Sequence, residues 1–351
     1  MTATAPAAAC HAMLLRLAGH VPDDLLTCCR RWLADGRVED LAHALADGVL
    51  CAGAPMRVED VALLGQLLAG AGTDPGVLAG IRKPSDRDTP SFWFQRKAPE
   101  YLDDAGVEAA EKLAAIVMDT ASRLPQLNGL WQAWRVPFDD ESWPPPGPVF
   151  VAEAKVGADL AVLTGWLQAD LLAAGAVAPQ VEVYEIGGEL PDYQRLARAL
   201  GALLWAERPG PGPRLARLFD EFDTPGGPRF AADHPRLDDR GEVDRILHYL
   251  NAADVVLTAG RGLDAVPAAP TGSDVLTFRT DGAFVWPDAA AYYLDKFALS
   301  PDPDLLARIR AAGYVPPVVD GVAMHRATAL LLQSGNRVSP AVAGTGRQVV
   351  R

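Results

Sequence analysis

Cysteine is scarce. Cys10, Cys28, Cys29 and Cys51 are the only four in 351 residues, and all lie in the first seventh of the chain. No two of them form a Cys-x-x-Cys pair, so neither a zinc ribbon nor a redox dithiol is written here. A secreted scaffold would spread its cysteines along the chain. Buried or half-buried thiols in a reducing cytosol are the expectation. Lysine is scarcer than its charge class suggests, at five of the 32 basic residues, and no basic run exceeds two. With 45 acids the formal charge is −13. Nucleic-acid binders draw most of their affinity from cationic patches that release phosphate counterions, so this balance weighs against DNA or RNA as a partner. No run of 18 apolar residues occurs, so no membrane span is expected. The opening MTATAPAAAC has neither a charged nor an apolar leader region, which points to a cytoplasmic protein.

A hydrophobic fraction of 49% and a charged fraction of 22% suit a globular chain large enough for two domains. The excess of Arg, Ala, Gly and Pro is the codon mark of a GC-rich, bacterial-type genome and carries no function. Residues 1–10 are Ala-rich and expected to be disordered. From Val21 to Gly72 the apolar period is 3.6. One helix opens at Pro22-Asp23-Asp24 and closes at Gly36, a second starts near Glu39, and a third starts near Glu59. Arg-Val-Glu-Asp occurs at 37–40 and again at 57–60, its acids suiting the positive end of a helix. The cluster Ser91-Phe92-Trp93-Phe94-Gln95 reads as an edge strand or an anchored loop. An amphipathic helix follows over 107–124, and a strand over 127–138. Three consecutive prolines at 144–146 make a stiff spacer. They put a domain boundary near 147, between a mainly helical region (11–146) and an α/β domain (148–333).

Beyond that point strands alternate with helices: strands at 149–153, 181–186, 215–222 and 255–259, helices at 159–174, 191–206 and 240–250. This grammar predicts an α/β fold, a mixed, partly parallel sheet with helices on both faces, preceded by an all-α region. The sharpest module is Asp274–Gly313. Asp281-Gly282 between apolar runs predicts a two-residue hairpin loop, with Phe278 opposite Val285 and Thr277 opposite Trp286. Leu276, Phe278 and Val285 then share one face, and Phe284 and Trp286 the other. A hairpin apolar on both faces needs cover on both. Ser300-Pro301 is expected to cap a helix carrying Leu305, Leu306 and Ile309, stopped by Gly313. A last helix over 319–333 precedes a tail, 334–351, expected to be flexible.

Three constellations bear on chemistry. Asp140, followed by a strand ending Glu153-Ala154-Lys155, resembles the PD-(D/E)xK nuclease signature. That resemblance implies Asp140 and Glu153 holding Mg²⁺ against a phosphate and Lys155 orienting water, with Glu111 and Gln168 where further ligands are often added. The intervening Trp-Pro-Pro-Pro-Gly-Pro departs from that pattern. The second constellation is the acidic loop, Asp220, Glu221 and Asp223 with His234, a candidate binding site beyond a strand end. Third, the turns Gly187-Gly188 and Gly260-Arg261-Gly262 could present amides to an anion, though neither is a phosphate-binding loop. No Gly-x-Ser-x-Gly elbow is present, and the six histidines are scattered. With no complete catalytic or cofactor motif, the leading expectation is a non-enzymatic cytosolic factor that binds another protein and needs no cofactor. A Mg²⁺-dependent nuclease or phosphodiesterase, or a small-molecule enzyme at loop 220–239, are the alternatives.

Overall fold

The computed structural model describes residues 5–85, 91–138, 146–207, 211–221, 228–260 and 275–338. By internal packing the chain forms two compact units, Met1–Pro209 and Gly210–Arg351.

Four helices open the first unit: α1 (Ala5–Arg16), α2 (Asp23–Ala34), α3 (Val38–Ala52) and α4 (Val58–Gly70). The last three begin at the expected acidic turns, and each is followed by a left-handed glycine, Gly36, Gly53 or Gly72. The first corrects an expectation. Ala5–Cys10 is not a disordered lead-in but the start of α1, because alanine is the best helix former and Cys10, Met13, Leu14 and Leu17 fall on one buried stripe. Residues 1–4 lie outside the described residues.

The sheet of this unit follows, built from β1 (Phe92–Gln95), β2 (Leu127–Pro137), β3 (Gly147–Ala154), β4 (Gln180–Glu185) and β5 (Ala202–Ala206). The strand order is β1-β2-β3-β4, and β5 shares the outer edge of β2 with β1. β3 and β4 run parallel and the other pairs are antiparallel. Between them lie α5 (Asp104–Ser122), α6 (Leu160–Ala173) and α7 (Asp192–Leu200). α5 and α6 cover one face, where Val117, Leu163 and Leu167 meet Phe150, Ala152, Val181 and Val183. α7 covers the other, setting Tyr193 edge-on to Phe92 and Phe94. The mixed sheet with helices on both faces, preceded by helices, is the α/β architecture expected.

Two boundaries differ from expectation. The break placed near 147 falls inside a hairpin, since Trp134 pairs with Pro148 and Arg135 with Gly147. Residues 147 and 148 therefore belong to a strand of the first unit, which runs to Pro209. The helix expected over 191–206 stops at Gly201, where a Cβ would stand 2.7 Å from the carbonyl oxygens of Ala197 and Gln132. The apolar Ala202–Ala206 then pairs with β2 as a strand.

In the second unit, β6 (Arg214–Leu215), β7 (Asp254–Gly260), β8 (Val275–Thr280) and β9 (Phe284–Pro287) form a sheet ordered β6-β9-β8-β7. Of the strand expected over 215–222 only β6 forms among the described residues. Helices α8 (Arg240–Ala252), α9 (Ala289–Phe297) and α10 (Pro303–Ala311) pack Ile246, Tyr249, Leu294, Leu305 and Ile309 against Phe284 and Trp286. α11 (Gly321–Val338) covers the opposite face, with Ala327 and Leu331 on Phe278 and Val285. It outlasts the helix expected to end at 333, and residues 339–351 lie outside the described residues. The hairpin is therefore apolar on both faces and covered on both. Its register is two residues from expectation, Thr280 facing Val285 and Phe278 facing Pro287. Only Gly282 takes a positive φ, so a two-residue loop of the expected type cannot form. A slip of two preserves the parity of the faces, so each side chain packs on the face expected. The α10 cap is likewise shifted by two: Asp302, not Ser300, accepts from the amides of Asp304 and Leu305, and Pro303 takes the first helical position.

Asp281 is the reason for the wider loop. Its side chain has no exposed surface. Oδ1 accepts from the Ala283 and Phe284 amides at 2.9 and 2.8 Å. Oδ2 accepts from Tyr249 at 2.7 Å and from Arg308. Asp281→Ala would leave four donors without an acceptor and is expected to destabilise the second unit by roughly 3–5 kcal/mol. Asp281→Asn, which keeps an acceptor for both amides, should cost clearly less. Urea denaturation of both variants checks the order, and equal losses would refute it.

A second test concerns acid stability. His11 is 2% exposed on α1 and donates from Nε2 to the Val183 carbonyl at 2.7 Å, covering the outer edge of β4. Burial disfavours the imidazolium and holds its pKa at about 4, against 6.5 for the free side chain. Between those values the unfolded chain takes up a proton that the folded chain refuses. The contribution is therefore complete above 6.5 and lost as the pH falls through the window. From pH 7 to 4.5 the wild type should lose roughly 2.5 kcal/mol more than His11→Gln. Parallel stability profiles for the two proteins would contradict this.

Candidate functional site

β3 ends in Glu153-Ala154-Lys155, beside the end of its parallel partner β4 at Tyr184-Glu185. Strand alternation turns Glu153 away from the α5–α6 face, and it is 2% exposed. Asn128 of β2 donates to Oε2 at 2.7 Å and the Tyr184 hydroxyl to Oε1 at 2.8 Å. Arg198 of α7 donates to the same hydroxyl at 2.6 Å, and its guanidinium lies 5.3 Å from the Tyr184 ring centroid. Burial, and then the negative charge of Glu153, push the Tyr184 phenol well above its ordinary pKa, so it stays a donor to the carboxylate. Lys155 looks elsewhere: its Nζ meets Glu207 at 2.5 Å and the Pro125 carbonyl at 2.7 Å. The structure thus brings Glu153 and Lys155 to one strand end and gives each its own internal partners. Asp140 lies outside the described residues. Glu111 stands exposed on α5, while Gln168 is buried on α6 and donates to the Pro179 carbonyl.

The acidic loop of the second unit is organised by a histidine. Asp220 accepts from the Ala231 amide at 2.9 Å and from His234 Nδ1 at 2.7 Å. The Ala231 amide bond holds its carboxyl below the usual range against the cost of burial, and the His234 contact adds to it. His234 Nε2 reaches the Ser300 carbonyl at 2.9 Å, and the ring packs on Phe230 with centroids 4.8 Å apart. Both ring nitrogens thus staple chain to chain, which leaves neither turned to a ligand. Glu221 pairs with Arg229 at 2.5 Å across an isolated bridge. Asp223 lies outside the described residues.

Gly187 takes a positive φ in the turn after β4, and Glu185 of that turn accepts from the Gly157 amide at 2.5 Å. Gly260 ends β7, and Arg261-Gly262 lie outside the described residues. Among the described residues, no three His, Cys, Asp or Glu side chains come together in a way that could hold a metal ion. No helix among them is long and apolar enough to cross a membrane.

Two features carry no functional role in the sequence reading. The Phe92-Trp93-Phe94 cluster is an edge strand whose alternation sends Phe92 and Phe94 inward and leaves Trp93 42% exposed. There Trp93 meets Phe138, 62% exposed, with ring centroids 5.4 Å apart. The repeated Arg-Val-Glu-Asp tetrapeptides also part company. Arg37 pairs with Asp40 on the surface of α3, whereas Asp60 is 3% exposed and grips Arg16 of α1. No known family model, curated protein or solved structure matches this chain.

The internal bonding of Glu153 makes a prediction that separates structure from catalysis. Glu153→Ala leaves the Asn128 and Tyr184 donors without their acceptor and should cost roughly 2–4 kcal/mol. Lys155→Ala breaks a part-exposed pair and should cost at most about 1 kcal/mol. Denaturant midpoints of the two variants give the comparison, and a near-neutral Glu153→Ala would show that this carboxylate is not a structural anchor.

Proposed function

We propose that the protein is a non-enzymatic cytosolic factor that works by binding another protein, as an adaptor, regulator or immunity-type factor. The observation that carries this reading is the Trp93–Phe138 pair. Large aromatic side chains are enriched in the anchoring centres of protein interfaces, because they bury much area for little lost side-chain freedom. Here two of them touch each other on an edge of the sheet and stay 42% and 62% exposed. The formal charge of −13 favours a partner with a basic surface, through faster and better-oriented encounter.

The test compares wild-type protein with the double variant Trp93→Ala/Phe138→Ala in capture experiments from native lysate. Both side chains are exposed, so the variant should melt within a few degrees of wild type. A partner retained by wild type and lost by the variant is the expected result. Identical captures would remove the basis of the proposal.

A second reading has one observation behind it. Glu153 and Lys155 sit at the carboxyl end of a strand in a mixed sheet, the region where α/β folds place sites. A metal-dependent phosphodiesterase using Asp140, Glu153 and Lys155 would cleave nucleic acid or nucleotides with Mg²⁺. Because Glu153→Ala disturbs the fold, Lys155→Ala is the informative variant. Mg²⁺-dependent cleavage abolished by Lys155→Ala would replace the protein-binding reading.

A further inference from the structure

A cavity of about 650 Å³ opens between the α1–α2 turn, the C-terminal end of α3 and the first turn of α7. A second of about 360 Å³ adjoins it, sharing Ala18, His20, Pro55, Asp192 and Tyr193. Each is within the size range of small-molecule sites. The two halves differ in character. The larger is walled mainly by apolar side chains, among them Pro22, Ala54, Phe92, Tyr193 and Leu196, with Arg82 and Asp192 also in its lining. Gly19, at φ +79°, lets the turn lie against the rings, since a Cβ there would stand 2.9 Å from Phe92 and 3.0 Å from Tyr193. The smaller half carries charges of both signs, Arg16, Arg57, Asp60 and Glu189.

Those charges are not equally committed. Arg16 holds Asp60 through two bonds, at 2.8 and 2.5 Å, with side-chain exposures of only 17% and 5%. Arg57 meets Glu189 at 2.9 Å with 42% and 60% of their side chains exposed. A pair so exposed is worth little in water and exchanges its partners readily. A simple anion entering here would meet Glu189 and Asp192, and a simple cation would meet Arg57 and Arg16. Only a ligand carrying both charges a few ångströms apart matches both. Its uncharged part would then lie against the apolar walls of the larger half.

We infer that this cleft binds a small zwitterion with an apolar body, an α-amino acid or dipeptide bearing an aliphatic or aromatic side chain. The carboxylate pairs with Arg57 and the ammonium with Glu189, in place of the Arg57–Glu189 pair, and the side chain enters between Pro22, Phe92 and Leu196. The site is separate from the Trp93–Phe138 surface and stands without the protein-binding proposal.

Cys51 lines the larger half and is exposed, while Cys10 and Cys29 are buried and Cys28 is half-buried. Its alkylation therefore reports occupancy. The full chain is titrated calorimetrically with leucine, phenylalanine and the dipeptide Leu-Phe, then with N-acetyl-Leu-Phe and Leu-Phe-amide, which each lack one charge. The rate of iodoacetamide labelling at Cys51 is followed by peptide mass spectrometry at each step. The expected result is saturable binding of at least one parent compound with slowed Cys51 labelling. Either single-charge analogue, or the double variant Arg57→Ala/Glu189→Ala, should weaken binding at least tenfold. Trp93→Ala/Phe138→Ala should bind as wild type does. The inference is overturned if no parent compound binds or protects Cys51. It is also overturned if the analogues bind as well as their parent, which would leave an apolar hollow with no zwitterion recognition.

Discussion

The first unit is held in register by an ion pair that should be expensive. Arg30 and Glu182 are 1% and 0% exposed in their side chains, and Arg30 Nη2 reaches both carboxylate oxygens at 2.7 Å. Removing two charges from water costs several kcal/mol each, and their attraction offsets it only when the remaining polar atoms are also satisfied. Gln194 does part of that work, donating at 2.8 Å to Glu182 and to the Leu15 carbonyl. Four elements meet in this cluster: Leu15 on α1, Arg30 on α2, Glu182 on β4 and Gln194 on α7. The satisfaction is incomplete, since Arg30 Nη1 and the Gln194 side-chain oxygen have no hydrogen-bond partner among the described residues. Such a cluster is weak as a source of stability and strong as a source of register. Any slip of α2 along the sheet would strand a buried charge. The helical region is thereby bound to the sheet as part of one unit, which no run of apolar contacts would specify as sharply.

Asp281 plays the corresponding part in the second unit, and the two cases share a logic. In each, a carboxylate without access to water collects donors from elements far apart in the chain: Tyr249 and Arg308 for Asp281, Arg30 and Gln194 for Glu182. Arg135 is the reverse case, a buried guanidinium, 1% exposed, that donates to Asp23 and to the Tyr193 hydroxyl. The Arg135 bond fixes one wall of the candidate cleft, since Tyr193 is both its partner and part of the lining.

How much of this could be read beforehand follows from which signals are local. Helix periodicity, acidic first turns and terminal glycines are local, and α2, α3 and α4 appeared close to where they were placed. Parity in a hairpin is local too, so Phe278 and Val285 fell on one face and Phe284 and Trp286 on the other despite the misjudged turn. Buried charge is not local. Val181-Glu182-Val183 alternates as if Glu182 faced water, and Arg30 follows two cysteines without distinction. What buries them is a helix and a strand 152 residues apart. The pairing of the strand that follows the proline run is not local either. Stiffness marks a spacer, but whether it separates domains or joins two strands depends on what Gly147–Ala154 pairs with. The two Arg-Val-Glu-Asp copies are the plainest case, since identical tetrapeptides became a solvent pair and a buried clamp according to what lay alongside.

The same distinction bears on function. The residues that drew notice in the sequence were acids and a histidine, because those types carry most catalysis. In the fold, Glu153, Asp220, Glu221 and His234 all bond to protein partners, and their geometry is accounted for by the strands and loops they join. An acidic chain must place many carboxylates, and those left inside must find donors whether or not they do chemistry. Exposed apolar surface is judged by the opposite rule: burial would stabilise it, so a touching aromatic pair left exposed is a candidate for an interface. That asymmetry turns attention from the carboxylates to Trp93 and Phe138. It also separates the Arg57–Glu189 pair from the Arg16–Asp60 pair beside it, since the first is exposed enough to give up its partner and the second is not.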